Sequence, residues 1–244
     1  CILALLRYDK GEITICGEKM TPESYELKRK IGIVPQEVAI FDQLTVQENI
    51  DYFCGLYLPD RKKRKEYVED AITFVGLNDY KKMYPKQLSG GLLRRLNIAC
   101  GIAHKPEIIF MDEPTVGLDV VAREEVLAMI REYMTAHEQA GVLISSHIAT
   151  DLESLCDDLY LIRDGKIIMH EDTDVLLSEY ALLKVPAEKY ETLDKQYILR
   201  SKKESYGYAC LTDKKQYYRE NEPDLVMENG SIDELILMMN GGRE

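Results

Sequence analysis

No stretch of about 18 consecutive apolar residues occurs in this sequence, so no segment reads as a membrane-spanning helix. The apolar opening, residues 1–8, is too short for a signal peptide, and no basic segment precedes it. Positive charge is in deficit. With 31 Lys and Arg against 43 Asp and Glu, the formal net charge is −12, which argues against a nucleic-acid-binding surface. The six cysteines, at 1, 16, 54, 100, 156 and 210, form no C-x-x-C pair and no metal-like spacing. Free thiols in a reducing compartment account for them most simply. The phosphate-cradling pattern G-x-x-x-x-G-K-[ST] occurs nowhere in the 244 residues. What remains is 45% apolar and 30% charged, the balance of a globular chain with a sizeable core in one or two domains.

The most informative stretch runs from Leu88 to Asp119. Ser89, Gly90 and Gly91 stand just before a helical pattern. Glycine removes side-chain bulk, so the helix N-terminus and its N–H groups can approach an anion closely, and Ser89 adds a hydroxyl donor. Ile108–Met111 is a short apolar run ending in Asp112 and Glu113. That pattern suits a buried parallel strand with acids at its carboxyl end, where ligands of open α/β sheets bind. In nucleotide hydrolases one acid there holds Mg²⁺ and its neighbour polarises a water. Taken singly, Ser-Gly-Gly is an ordinary helix start and Asp-Glu a solvated strand end. Together with Gly117-Leu118-Asp119 and His147 they form a far more specific constellation.

This constellation closely resembles the ATP-binding cassette (ABC) ATPases over roughly residues 1–175. Leu88–Gly91 resembles the family signature, Ile108–Glu113 the Walker B strand with its catalytic glutamate, and Gly117–Asp119 the D-loop. Gln36, after the apolar run Ile31–Val34, matches the Q-loop glutamine, and His147, after Ser145-Ser146, the H-loop histidine. The resemblance implies an α/β fold: a P-loop NTPase core lacking its first strands and P-loop, with a helical subdomain at about 45–104. It implies Glu113 and His147 as catalytic residues and Gln36, Ser89, Gly90, Gly91 and Asp119 as nucleotide contacts. Asp112 and Gln36 are the implied Mg²⁺ contacts, and ATP is the substrate. The implied partners are a membrane permease and a second cassette, with no nucleic acid. The implied location is the cytoplasmic face of the cell membrane, as in bacterial export-type subunits. In the family the phosphate loop and an adenine-stacking aromatic lie further upstream. The chain is therefore expected to be truncated before or within the Walker A helix, and residues 1–244 alone are expected to be inactive. Leu92 departs from the Gln or Met of many members, but the anion-binding elements are intact. Arg94-Arg95 matches a basic pair of structural rather than ligand-binding character.

Other readings stay open. A soluble ABC-type ATPase acting on ribosomes or DNA usually shows twin cassettes, long coiled-coil insertions or basic patches. Here the insert is short, heptads are absent and the charge is acidic. A non-enzymatic remnant is the third alternative.

Elsewhere, Ile2, Leu3, Leu5 and Leu6 read as the tail of a helix, Asp9–Gly11 as a turn and Ile13–Ile15 as a short strand. Thr21-Pro22 reads as a helix start. Thr45-x-x-Glu48 is a capping box ahead of an apolar helical pattern at 46, 50, 53 and 57. The basic run Arg61–Lys65 opens the next helix. A solvated face is the favoured reading there over a contact with acidic lipid headgroups. Gly76 reads as a C-cap. Ala122–His137 and Ala149–Cys156 read as helices, Gly141–Ser146 as a strand, and Arg163-Asp164-Gly165 as a hairpin turn. Composition shifts near Tyr180. The expected domains are thus an ATPase domain, 1–180, and a small α+β appendage, 181–244, closed by a helix that Ser231-x-x-Glu234 caps.

Overall fold

The computed structural model describes residues 2–4 and 6–240. The chain folds as two compact units, Cys1–His147 and Ile148–Glu244.

The first unit opens with a hairpin, β1 (Thr14–Ile15) and β2 (Glu18–Lys19), turning through Cys16 and Gly17. Both turn residues have positive φ, 51° and 76°, as a two-residue hairpin turn matched to strand twist requires. The expected helix tail at the start is not formed. Ile2 and Leu3 lie in a turn and Ala4 and Leu6 in bends, while Cys1 and Leu5 fall outside the described residues. Ala4 has φ 55°, which no right-handed helix tolerates. The helix expected at Thr21-Pro22 starts later, as α1 (Tyr25–Arg29) with Ser24 at its N-cap. Thr21 donates its N–H to Ser24 Oγ at 3.0 Å, so the two residues close a turn ahead of the helix instead.

The expected strand at Ile31–Val34 is β3, and it pairs in parallel with β4 (Ile108–Asp112), which pairs in parallel with β5 (Gly141–Ser145). All three strands therefore end on the same edge of the sheet. Between β3 and β4 lie the three helices of the expected helical subdomain. The first is α2 (Val46–Tyr57), whose Thr45–Glu48 capping box is complete. Next is α3 (Arg61–Phe74), capped by Asp60. It stops where Gly76, at φ 69°, and Leu77 donate to the carbonyls of Thr73 and Ile72, the paired bonds of a Schellman ending. The third, α4 (Gly90–Ile102), carries the Ser-Gly-Gly motif at its start. It presses on β3 through two glycines: a Cβ at Gly101 would stand 2.7 Å from the Ile33 carbonyl, and one at Gly32 2.5 Å from the Gly101 carbonyl. After β4 comes α5 (Val120–Ala136).

The second unit begins with α6 (Ala149–Leu155) and the hairpin β6 (Asp158–Arg163) and β7 (Lys166–Asp172), turned by Asp164-Gly165 as the sequence predicts. Then come α7 (Thr173–Glu179), β8 (Ala181–Pro186), α8 (Ala187–Tyr190), β9 (Ile198–Glu204), β10 (Gly207–Thr212), α9 (Lys215–Asn221), β11 (Val226–Asn229) and α10 (Ile232–Asn240). The last four strands form an antiparallel sheet in the order β11-β8-β10-β9, a βαββαβ ferredoxin-like arrangement. One of its two inner strands, β8, is an element that sequence reading passed over. A single apolar cluster joins Ala149, Leu159, Leu176 and Tyr180 to Leu182, Leu211, Ile232 and Leu235. The compact unit thus starts after His147, not at the composition shift near Tyr180. Residue composition shifts near 180, whereas shared burial links 149–180 to the later strands and the closing helix.

His104 ties the first unit together. Its ring stacks on Tyr57 at 3.9 Å, and Nε2 lies 3.1 Å from the Ile31 carbonyl. Nδ1 is buried without a partner, so protonation would bury a charge. Burial pushes its pKa down from 6.5 to about 4, partly opposed by the hydrogen bond to Ile31. The unfolded imidazole thus binds more protons than the folded one between these values. His104 favours the fold fully above pH ~6.5, and that contribution is lost as pH falls through about 4. In His104→Phe, which keeps the stacked ring and cannot titrate, the urea midpoint should fall less on acidification from neutral pH than in the parent chain.

Candidate nucleotide site

Two groups of side chains bring together the candidate residues of the first unit. The first stands at the carboxyl ends of β4 and β5. Parallel pairing sets Asp112 opposite Ser145, and the Ser145 hydroxyl donates to Asp112 Oδ1. The next residue, Glu113, donates its N–H to the Ser145 carbonyl at 3.0 Å and has φ 46°. A left-handed glutamate is an uncommon, strained backbone of the kind that clusters at functional sites. Its side chain is 17% exposed, and Oε2 lies 2.9 Å from Nδ1 of His147, which is 66% exposed. That is ion-pair distance without the direction of a hydrogen bond, so among the described residues Oε2 is buried with no hydrogen-bond donor. A buried carboxyl oxygen in this state has room in its hydrogen bonding for a water or hydroxyl.

Among the described residues no group of three or more His, Cys, Asp or Glu is arranged to hold a metal ion by itself. The donor set nevertheless fits Mg²⁺. That ion keeps several waters and binds through one or two carboxylates plus substrate phosphates, and Asp112 is an exposed carboxylate held in place by Ser145.

The second group surrounds a cavity of about 680 Å³ lined by Ser89, Gly90, Gly91, Gly117, Leu118 and Asp119, with Gly76, Tyr80, Arg95 and Glu125 among the other walls. Ser89 is the N-cap of α4, and its Oγ accepts from Leu92 N–H at 3.3 Å, leaving its own proton to donate. Gly90 and Gly91 supply first-turn N–H groups that have no intrahelical acceptor. The two glycines differ in role. A Cβ at Gly91 would come within 3.1 Å of the Ala122 methyl, whereas Gly90 faces open space. Asp119 caps α5, accepting from Ala122 N–H at 2.9 Å. Leu92, the departure from the common signature, is half-buried and leaves the cavity motif intact.

Gln36 follows the carboxyl end of β3, the same sheet edge as Asp112 and Ser145. Its side chain is exposed, and the fold uses its carbonyl. Arg94, 4% exposed, donates to the Pro35 carbonyl at 3.1 Å and the Gln36 carbonyl at 2.9 Å. Asn97 donates to Pro35 O and accepts from Ala39 N–H. Further on, buried Asn49 accepts from Phe41 N–H and donates to the carbonyls of Phe41, Leu44 and Thr45. The segment between β3 and α2 is thus pinned at both ends. Arg94 has the structural role expected of it. Arg95 donates to Val75 O and pairs with Glu125 while also lining the cavity. Sequence reading missed Asn49, Asn97 and Ser145. Polar residues on otherwise apolar helix positions, as 49 and 97 are, signal buried hydrogen bonding.

Comparison with known proteins places the chain in a class. The fold is shared with a solved cassette, cbiO1 from Clostridium perfringens, described as part of an ABC transporter complex. It matches at TM-score 0.65 and 21% identity over 73% of this chain and 72% of that one. The family described as ABC transporter matches residues 1–116. The ABC transporter ATP-binding protein NatA of Bacillus subtilis is 33% identical over 168 residues, covering 68% of each chain. The chain belongs to the ABC transporter ATP-binding family. The linearmycin resistance ATP-binding protein LnrL of Bacillus subtilis is 36% identical over 169 residues, 68% of this chain. The matched stretch spans 53% of LnrL, about half its length.

Because Arg94 is buried and holds two carbonyls, Arg94→Met should destabilise the fold by about 1.5–3 kcal/mol, the range for hydrogen bonds to a charged group. A urea titration measures this. Limited proteolysis should then cut faster between Glu37 and Leu44 than elsewhere.

Proposed function

We propose that the intact protein is the ATP-binding and ATP-hydrolysing subunit of an ABC transporter, driving export through a separate membrane permease. The observation that supports this most strongly is the arrangement at the strand ends. Asp112 is held by Ser145, and a strained Glu113 keeps a buried, donor-free oxygen beside His147. Glu113 suits the general base: its free oxygen can accept a proton from a water placed between it and a phosphate. His147, exposed and adjacent, suits a contact to the terminal phosphate. Asp112 would hold Mg²⁺, which offsets the charge of the triphosphate when bound. Gln36 would contact the same ion from the neighbouring strand end.

The cavity at Ser89–Gly91 supports a second cassette, identical or related, as partner. A helix N-terminus with an exposed Gly90 and a free hydroxyl is an anion site. Within this reading it receives the nucleotide held by the opposite subunit, and Asp119 lies at the subunit boundary. ATP then favours the closed pair, and hydrolysis releases it. The export direction is supported by the name of LnrL, a resistance protein. The location proposed is the cytoplasmic face of the membrane.

The permease contact is assigned to the segment from Gln36 to Asn49. Val38 and Phe41 are exposed on a backbone that Arg94 and Asn49 hold rigid, and Phe41 meets the Tyr52 ring edge-on at 4.9 Å.

In a chain extended N-terminally by a phosphate-binding loop, Glu113→Gln should still bind MgATP while turnover falls by about 10²–10⁴, the usual loss with a general base. Near-normal phosphate release would sink the assignment, and Asp112→Asn should instead weaken Mg²⁺ dependence. Cysteines placed at Glu37 and Gln43 should cross-link to a co-expressed permease. Cross-linking obtained only from cysteines within 181–244 would move the contact elsewhere.

A further inference from the structure

We infer that the α2–α3 corner of the helical subdomain is a docking surface for anionic lipid headgroups. It deepens the membrane-peripheral reading above and names the patch that meets the bilayer.

The sequence places Arg61–Lys65, five consecutive cations, in a chain of net charge −12. They occupy the first turns of α3, which has no acidic residue in its first turn. That is the wrong end for stability. A helix N-terminus already carries a partial positive charge, and cations there are disfavoured. Intramolecular pairing does not explain the arrangement. Among the described residues Arg64 is the one cation of the run that pairs with an acid, Asp51 at 2.9 Å, and it lies close over Gly55. Lys63 stands 5.3 Å from the Tyr67 ring. Arg61, Lys62 and Lys65 are exposed, and their side chains have no partner among the described residues. Asp60 is committed to the helix end, accepting from Lys62 and Lys63 N–H. Side chains and helix end together concentrate positive potential at one corner.

The same corner is apolar on its other side. The last turn of α2 reaches the first turn of α3 through only Leu58, Pro59 and Asp60, and the two helices pack together. In the last turn of α2, Leu56 is 58% exposed. A cationic cluster opening one helix and an exposed leucine closing the helix packed against it make the composition of an interfacial lipid contact. Charge draws the patch to acidic headgroups, and the leucine enters the boundary below them. The acidic remainder of the chain, repelled by the same surface, favours presenting this corner first.

The test is partition of the purified 244-residue chain onto vesicles of phosphatidylglycerol mixed with phosphatidylcholine, against vesicles of phosphatidylcholine alone. Binding should need the acidic lipid and weaken with added salt. Each basic residue near such a surface contributes about fivefold in affinity, so the triple variant Arg61→Gln, Lys62→Gln, Lys65→Gln should bind on the order of 100-fold more weakly. Leu56→Ser should lose severalfold. All three cations are solvent-exposed, and unchanged far-UV circular dichroism checks the fold. Equal partition onto both vesicle types, none on either, or an unaffected triple variant would overturn the inference. An oligonucleotide that displaces the chain from acidic vesicles by binding it more tightly would do the same, reassigning the run to nucleic acid. These outcomes are independent of hydrolysis: a normal Glu113→Gln turnover would leave the partition result standing, and failed partition would leave the catalytic assignment standing.

Discussion

A single buried guanidinium holds the first unit's functional parts in register. Arg94 sits on the helix whose first turn carries Ser89–Gly91, and it binds the two carbonyls just past β3. Burial lowers its pKa from the ordinary arginine value, but arginine remains charged at any pH the fold survives. Removing its partners would strand that charge, so the carbonyls and the guanidinium constrain one another. The close approach of Gly101 and Gly32 lets the helix come near enough for these bonds to form. The anion-facing helix start and the Gln36 segment are thereby joined through one rigid element and its hydrogen bonds.

The sheet supplies the other half of the arrangement. Three parallel strands end together, and each delivers a polar residue at or just past its last hydrogen bond: Gln36, Asp112 with Glu113, and His147. Strand pairing does more than collect them. The register that sets Asp112 against Ser145 fixes the carboxylate's orientation, and the Ser145 carbonyl fixes the Glu113 backbone. Sheet geometry therefore orients both acids directly.

Much of this is legible in the sequence. Apolar runs bounded by turn residues mark β3, β4 and β5, although Ile33 and Leu143 remain exposed on this sheet. The Thr45–Glu48 box locates α2 to the residue, since its chemistry is local. The expectations that fail depend on context. Thr21-Pro22 has helix-start chemistry, yet Ser24 captures the Thr21 N–H and the helix begins later. The apolar opening has helical spacing but a left-handed Ala4. The division after His147 reflects burial shared across the chain, which composition does not record. In the candidate site the residue types are readable, but not their second duties. Ser89 and Asp119 both cap their own helices, and only geometry shows that a cavity-lining side chain is also a helix cap.

The left-handed backbone at Glu113 sets two selective pressures against each other. Glycine adopts φ near 46° without steric cost, so the substitution most comfortable for folding at this position is one that deletes the carboxylate. A β-branched residue would be worse on both counts. A chain drifting without demand on the site would gain stability by losing Glu113, the trade between stability and activity expected where strain is held for function. Relief of the torsion and loss of the carboxylate thus come in the same substitution.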